Sequence, residues 1–186
     1  MKALIIGATG STGKFLLDEL IQDDDYTSVA IFVRRSTGRI HPKLTEYVID
    51  FSQPDQYREF ITGDVLFSCL GTTLKAAGSK EKQWQIDFEI PARFAAIARE
   101  NRVNSFVLVS SADASAKSMI FYSKMKGKLE VRIAELGFGQ YIIFRPGMLL
   151  RRDTDRPAEK VLVKTLGFFN SVGLLKKYKP LPTEIL

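Results

Sequence analysis

The sequence has one cysteine and one histidine among its 186 residues. An internal disulfide framework is excluded, and a Cys/His zinc site lacks its ligands. No apolar run approaches the ~18 residues of a membrane-spanning helix. The opening MKALIIGATG has a single lysine and a short apolar stretch before a glycine, too little for the h-region of a signal peptide. A long block of like charge is also missing, although 27 basic residues outnumber 21 acidic ones for a net charge of +6. The basic residues are scattered in small groups at 34, 35 and 39, at 124, 126 and 128, at 151 and 152, and at 176, 177 and 179. Scattered surplus charge fits a solvated surface or a phosphorylated small molecule and weighs against nucleic acid and membrane as partners. The expected location is cytoplasmic.

What is present is the balance of a globular domain, 45% hydrophobic and 26% charged. The length corresponds to roughly one domain, which buries about 70% of its unfolded surface. Short apolar runs over 2–6, 28–33, 44–51, 64–69, 104–109 and 140–144 read as strands. Helical spacing over 11–22, 55–61, 80–101 and 118–136 lies between them, with Pro91 predicting a kink or break in the third of these helices. Alternation of this kind predicts an α/β fold, a doubly wound parallel sheet covered on both faces. That domain spans 1–150. Residues 151–186 run from charged to apolar to basic and Pro-punctuated, and read as a small C-terminal appendage without a core of its own.

The first strand runs into Gly7-Ala8-Thr9-Gly10-Ser11-Thr12-Gly13, and an amphipathic helix follows. Glycine permits a tight turn and close backbone approach to a pyrophosphate, and the last glycine lets helix pack on strand. The helix N-terminus then offers unpaired N–H groups to phosphate. A Walker loop is excluded, because the glycine gap is one residue too long and Phe15 stands where the hydroxyl belongs. An NAD site usually carries an acidic residue at the end of the second strand, to hold ribose hydroxyls. Arg34 and Arg35 stand there instead. Forked guanidiniums suit the additional 2′-phosphate, which predicts NADP(H) in preference to NAD(H). Cys69 reads as a small buried apolar side chain, His41 as a loop residue without chemistry, and Asp23, Asp24 and Asp25 as a solvated loop.

These residues resemble the short-chain dehydrogenase/reductase superfamily in its extended or atypical branch, and more closely the Tat-interacting-protein-like NAD(P)-binding oxidoreductases. The matching pieces are GATGSTG at 7–13, FVRR at 32–35, SCLGTT at 68–73, LVSSADASAKS at 108–118, YSKMKGKLE at 122–130 and FRPGMLL at 144–150. The resemblance implies strand order 3-2-1-4-5-6. It assigns Tyr122 and Lys126 to the Tyr-x-x-x-Lys pair, on one helix face. An ammonium beside a phenol favours the phenolate and brings proton transfer nearer neutrality. Ser111 matches the serine that hydrogen-bonds a substrate carbonyl, with Ser110 as the alternate. The implied cofactor contacts are Gly7, Thr9, Gly10, Ser11, Thr12 and Gly13 at the turn, and Arg34 and Arg35 after it. Asp50 and Phe51 lie near adenine, and Leu70, Gly71, Thr72, Thr73, Ser110, Tyr122, Lys126, Pro146 and Gly147 on the nicotinamide side. No metal is implied.

Three features depart from the common pattern. Cys69-Leu70-Gly71 replaces Asn-Ala-Gly, Asp87 stands where many members have asparagine, and one further helix is expected after Leu186. The implied function is an NADP(H)-dependent oxidoreductase for a small carbonyl or alcohol. The alternative is a non-catalytic NADP(H)-binding regulator that binds a protein partner, and a homodimer is left open.

Overall fold

The computed structural model describes residues 1–147, 149–150 and 181–182. The alternating runs form β1 (Lys2–Ile6), α1 (Gly13–Gln22), β2 (Ser28–Val33), β3 (Leu44–Val48) and a 3-10 turn over Pro54–Phe60. They continue through β4 (Val65–Ser68), α2 (Leu74–Ala77), α3 (Lys80–Trp84), a π-helical turn over Gln85–Glu89 and α4 (Ile90–Glu100). β5 (Ser105–Val109), α5 (Phe121–Ala134), β6 (Gln140–Phe144), β7 (Leu149–Leu150) and β8 (Leu181–Pro182) complete the order. Six strands pair in parallel in the order β3-β2-β1-β4-β5-β6, and β7 pairs separately with β8. The expected appendage over 151–186 otherwise lies outside the described residues.

The central strands read as continuous apolar runs because both faces are covered. On one face Leu4, Ile6, Ala30, Phe32, Leu66, Phe106 and Leu108 pack under Phe94 and Ile97 of α4 and Leu129 and Ile133 of α5. On the other, Ala3, Ile5, Val29, Ile31 and Val65 pack under Leu17, Leu20 and Ile21 of α1. β6 lies at an edge and alternates, so Ile142 and Phe144 remain exposed. The strand ends nearest the turns line up across the sheet: Ile6 pairs with Phe32 and with Ser68, and Val109 with Phe144. Loops leaving these ends meet along one crevice, where ligands bind in open α/β sheets.

Besides the short, unforeseen α2, three elements differ from the sequence expectation in bounds or form. β3 stops at Val48, and shortly beyond it the Asp50 carboxylate accepts the Ser52 N–H at 2.8 Å and its hydroxyl at 2.7 Å, turning the chain. α5 starts at Phe121 because the Ser118 hydroxyl accepts the Ile120 N–H at 3.1 Å, an arrangement that competes with helix. The helix over 80–101 does not end at Pro91, since helical residues run on to Glu100. It widens by one π-turn over Gln85–Glu89, where Ile90 N–H reaches back to the Gln85 carbonyl. Pro91 has no N–H to give the carbonyl of residue 87, so the ladder already has a gap there, and the wide turn carries Asp87 inward.

Candidate functional site

The glycine turn is built by close approach. Gly7 has φ +85°, and a Cβ there would lie 2.6 Å from the Cys69 carbonyl carbon. Gly10 N–H donates to the Gly7 carbonyl at 3.0 Å, closing the turn. At Gly13 a Cβ would overlap that same carbonyl oxygen, so only glycine lets α1 start against the strand. No side chain caps the N-terminus of α1. Lys14 N–H already donates to the Gly10 carbonyl at 3.1 Å, so what α1 presents to an anion is the positive end of its dipole, with no side chain over it.

At the end of β2, Arg34 and Arg35 are exposed and line a concavity of about 660 Å3 with Thr9, Ser36 and Thr37. Among the described residues neither guanidinium has an acidic partner. The loop beyond them is anchored: Glu46 accepts the Thr37 N–H at 2.9 Å, and Arg39 pairs with Asp18. Hydrogen bonds from Ser36 and Thr37 hold the Glu46 carboxyl below its ordinary range. Glu46 thus shapes the arginine loop without neutralising it.

The middle of the crevice is a concavity of about 360 Å3 lined by Gly7, Thr9, Gly10, Phe32, Arg34 and Phe51, with Ile86 and Ile90 opposite. Phe51 is backed by Phe94, with ring centroids 5.6 Å apart. This is a slot for a flat apolar group. Asp50 does not line it, because its carboxylate is turned onto Ser52 and Gln53.

The third part, about 620 Å3, is lined by Ser11, Thr12, Leu70, Gly71, Thr72 and Thr73 on one side and by Ser110, Tyr122 and Lys126 on the other. Lys126 sits one helical turn beyond Tyr122, is 2% exposed and donates to the Val109 carbonyl at 3.3 Å. Burial pulls its pKa below the ordinary lysine value, while Asp87, Cys69 and Glu130 oppose that shift. Asp87 is fully buried. One of its oxygens accepts the Thr72 N–H at 2.8 Å, and the other has no hydrogen-bond partner among the described residues. Burial pushes this carboxyl up to about 6, against the pull of Lys126 and the Thr72 amide. Gln83 donates to the Thr72 carbonyl at 3.0 Å, so the peptide groups flanking Thr72 are both held. Burial raises the Cys69 thiol to about 12, which keeps it neutral.

The Ser-Ser pair divides here. Ser110 lines the crevice, and Ser111 is not among its lining residues. The Ser110 hydroxyl donates to Glu130 at 2.5 Å, and Arg145 grips the same carboxylate at 3.0 and 2.6 Å. Pro146 contributes its carbonyl to the Ala112 N–H at 3.0 Å, and neither Pro146 nor Gly147 lines any of these three concavities. The sequence reading missed Glu130. It lies four residues past Lys126 and eight past Tyr122, on the same helix face, and that spacing was the available signal.

An uncapped helix start behind a glycine turn, two guanidiniums without carboxylates, an apolar slot and a Tyr/Lys wall fit a phosphorylated dinucleotide stretched along the strand ends. Fold and crevice together define a Rossmann-type dinucleotide-binding domain. The family described as NAD(P)H-binding matches residues 7–169. The chain belongs to that family, in the atypical branch of the short-chain dehydrogenase/reductase superfamily. It is 34% identical over 168 residues to protein HTATIP2 of Rattus norvegicus, covering 88% of this chain and 69% of the relative. It is 35% identical over 165 residues to mitochondrial protein fmp52 of Emericella nidulans, covering 84% and 71%. Among solved structures, a UDP-glucose 4-epimerase of Thermotoga maritima with UDP-glucose superposes with TM-score 0.68 at 13% identity, over 88% of this chain. The chain spans 62% of that epimerase's length, and the likeness is one of fold.

Proposed function

We propose that the protein is an NADP(H)-dependent oxidoreductase that interconverts a small carbonyl compound and its alcohol, with Tyr122 as the acid/base. The observation that carries this reading is the placement of Tyr122 and the buried Lys126 on the crevice wall facing the glycine turn. Bound NADPH supplies the hydride, and the chain supplies orientation and the proton. The Tyr122 hydroxyl gives its proton to the carbonyl oxygen as that oxygen gains charge. Lys126, fixed by the Val109 carbonyl and one helical turn from Tyr122 on the same wall, lowers the cost of the phenolate left behind. Arg34 and Arg35 hold the 2′-phosphate, and α1 takes the pyrophosphate. Tyr122→Phe should lower turnover by about 10²–10⁴-fold and leave the NADPH Kd unchanged. Unchanged turnover would remove Tyr122 from the mechanism.

One observation favours a second reading, a non-catalytic NADP(H)-binding regulator with a protein partner. The crevice serine gives its hydroxyl hydrogen to Glu130, so it is not presented to a substrate carbonyl. A panel of aldehydes and ketones separates the two. Turnover with any member supports the enzyme. No turnover with tight NADPH binding, and one stoichiometric partner in a pulldown, supports the regulator.

A further inference from the structure

The crevice continues past Tyr122 into a wall of different chemistry. Leu74 is 46% exposed and Ile120 67% exposed, yet both line the concavity, with Phe121 beside them. Apolar groups left in water at a concave wall are favourably covered by an apolar ligand, at about 25 cal/mol per Å2. Two polar groups nearby are partly engaged: the Thr73 hydroxyl accepts the Ala76 N–H at 3.2 Å, capping α2, and the Gln83 amide donates to Thr72. One cation stands on this wall, Lys80, held with its ammonium 5.6 Å from the centre of the Phe121 ring. Among the described residues Lys80 forms no ion pair. Its neighbour Glu81 bonds to its own N–H and to Ser79, and adds only a weaker attraction to the Lys80 ammonium.

We propose that the substrate is an apolar chain with its carbonyl at one end and an anionic group at the other, the chain lying along Leu74, Ile120 and Phe121 and the anion on Lys80. A carboxylate and a phosphate monoester share this chemistry. The inference rests on Tyr122 marking the carbonyl end. It adds that a single exposed lysine sets selectivity at the other end, without touching the reacting atoms.

Trp84 gives a direct readout. It is the only tryptophan, and its ring lies 6.3 Å from that of Phe121. The protein saturated with NADP+ is titrated with octanoate, octyl phosphate and 1-octanol while Trp84 emission is followed. Either anion should bind about threefold more tightly than the alcohol, as expected of an exposed ion pair. The advantage should shrink at about 0.5 M salt and vanish in Lys80→Gln. Ile120→Ser should weaken all three ligands together. The anion that binds more tightly identifies the source, carboxylate or phosphate. Equal binding of anion and alcohol by the wild type, an anion advantage that survives Lys80→Gln, or no Trp84 response to any ligand would each overturn the proposal. Failure of NADP+ itself to bind would instead overturn the cofactor reading beneath it.

Discussion

Asp87→Asn should make the protein more stable at neutral pH, with a gain that disappears in mild acid. Asp87 is buried on an inward-facing π-turn and, among the described residues, has one carboxylate oxygen without a partner. Its pKa is about 6 in the folded protein against an ordinary 3.8, with burial as the main cause. The native state therefore holds a proton that the unfolded chain has released, and stability falls as pH rises between those two values. At about 1.4 kcal/mol per pH unit, the ionised carboxylate costs the folded state about 3 kcal/mol above that window. Asparagine removes the ionisation and keeps the acceptor for the Thr72 N–H. It also loses the attraction to Lys126 and places an amide where no acceptor is found, so we expect a net gain of about 1–2 kcal/mol at about pH 8. Urea unfolding of both proteins from about pH 4.5 to 8, followed by far-ultraviolet circular dichroism, measures this. The two stability curves should diverge as pH rises from about 4 to about 6 and keep a constant separation above that. Parallel curves, or an asparagine variant less stable at the alkaline end, would show that Asp87 is an ordinary paired carboxylate.

Further outcomes follow from the same contacts. Gly13→Ala puts a Cβ into the Gly7 carbonyl oxygen, so it should cost about 1–3 kcal/mol in thermal unfolding and weaken NADPH binding, whereas an unchanged melting temperature would mean that the turn yields freely. Glu130→Gln removes the charge that Arg145 grips and that accepts from the Ser110 hydroxyl. It should cost about 1 kcal/mol, since Arg145 is half-exposed, and urea titration reads that loss. The same variant loosens the Ser110 hydroxyl, and higher turnover on the aldehyde panel would identify Glu130 as the group that withholds it.

The parts of the fold that were legible in sequence are those whose signal is local. β2 and β6 have the expected bounds because the first is buried on both faces and the second alternates as an edge strand. The glycine turn and the Tyr122–Lys126 pair are local motifs, and residues of both line the crevice. The π-turn was illegible because it follows from a missing N–H at Pro91 combined with inward packing of Asp87. α2 spans only Leu74–Ala77, too short for any periodicity. The Ser110–Glu130–Arg145 cluster joins residues 20 and 15 positions apart. Which of two adjacent serines faces the crevice depends on the path of the chain after β5, and the sequence alone left that open.

The cofactor assignment is tested most directly by fluorescence titration of NADPH and NADH against the wild type and the Arg34→Ala, Arg35→Ala double variant. Two charge-assisted contacts to the 2′-phosphate predict wild-type preference for NADPH of about tenfold or more, collapsing towards unity in the double variant while the NADH Kd stays constant. A wild type that binds NADH as tightly as NADPH, or a double variant that loses both cofactors equally, would contradict the account.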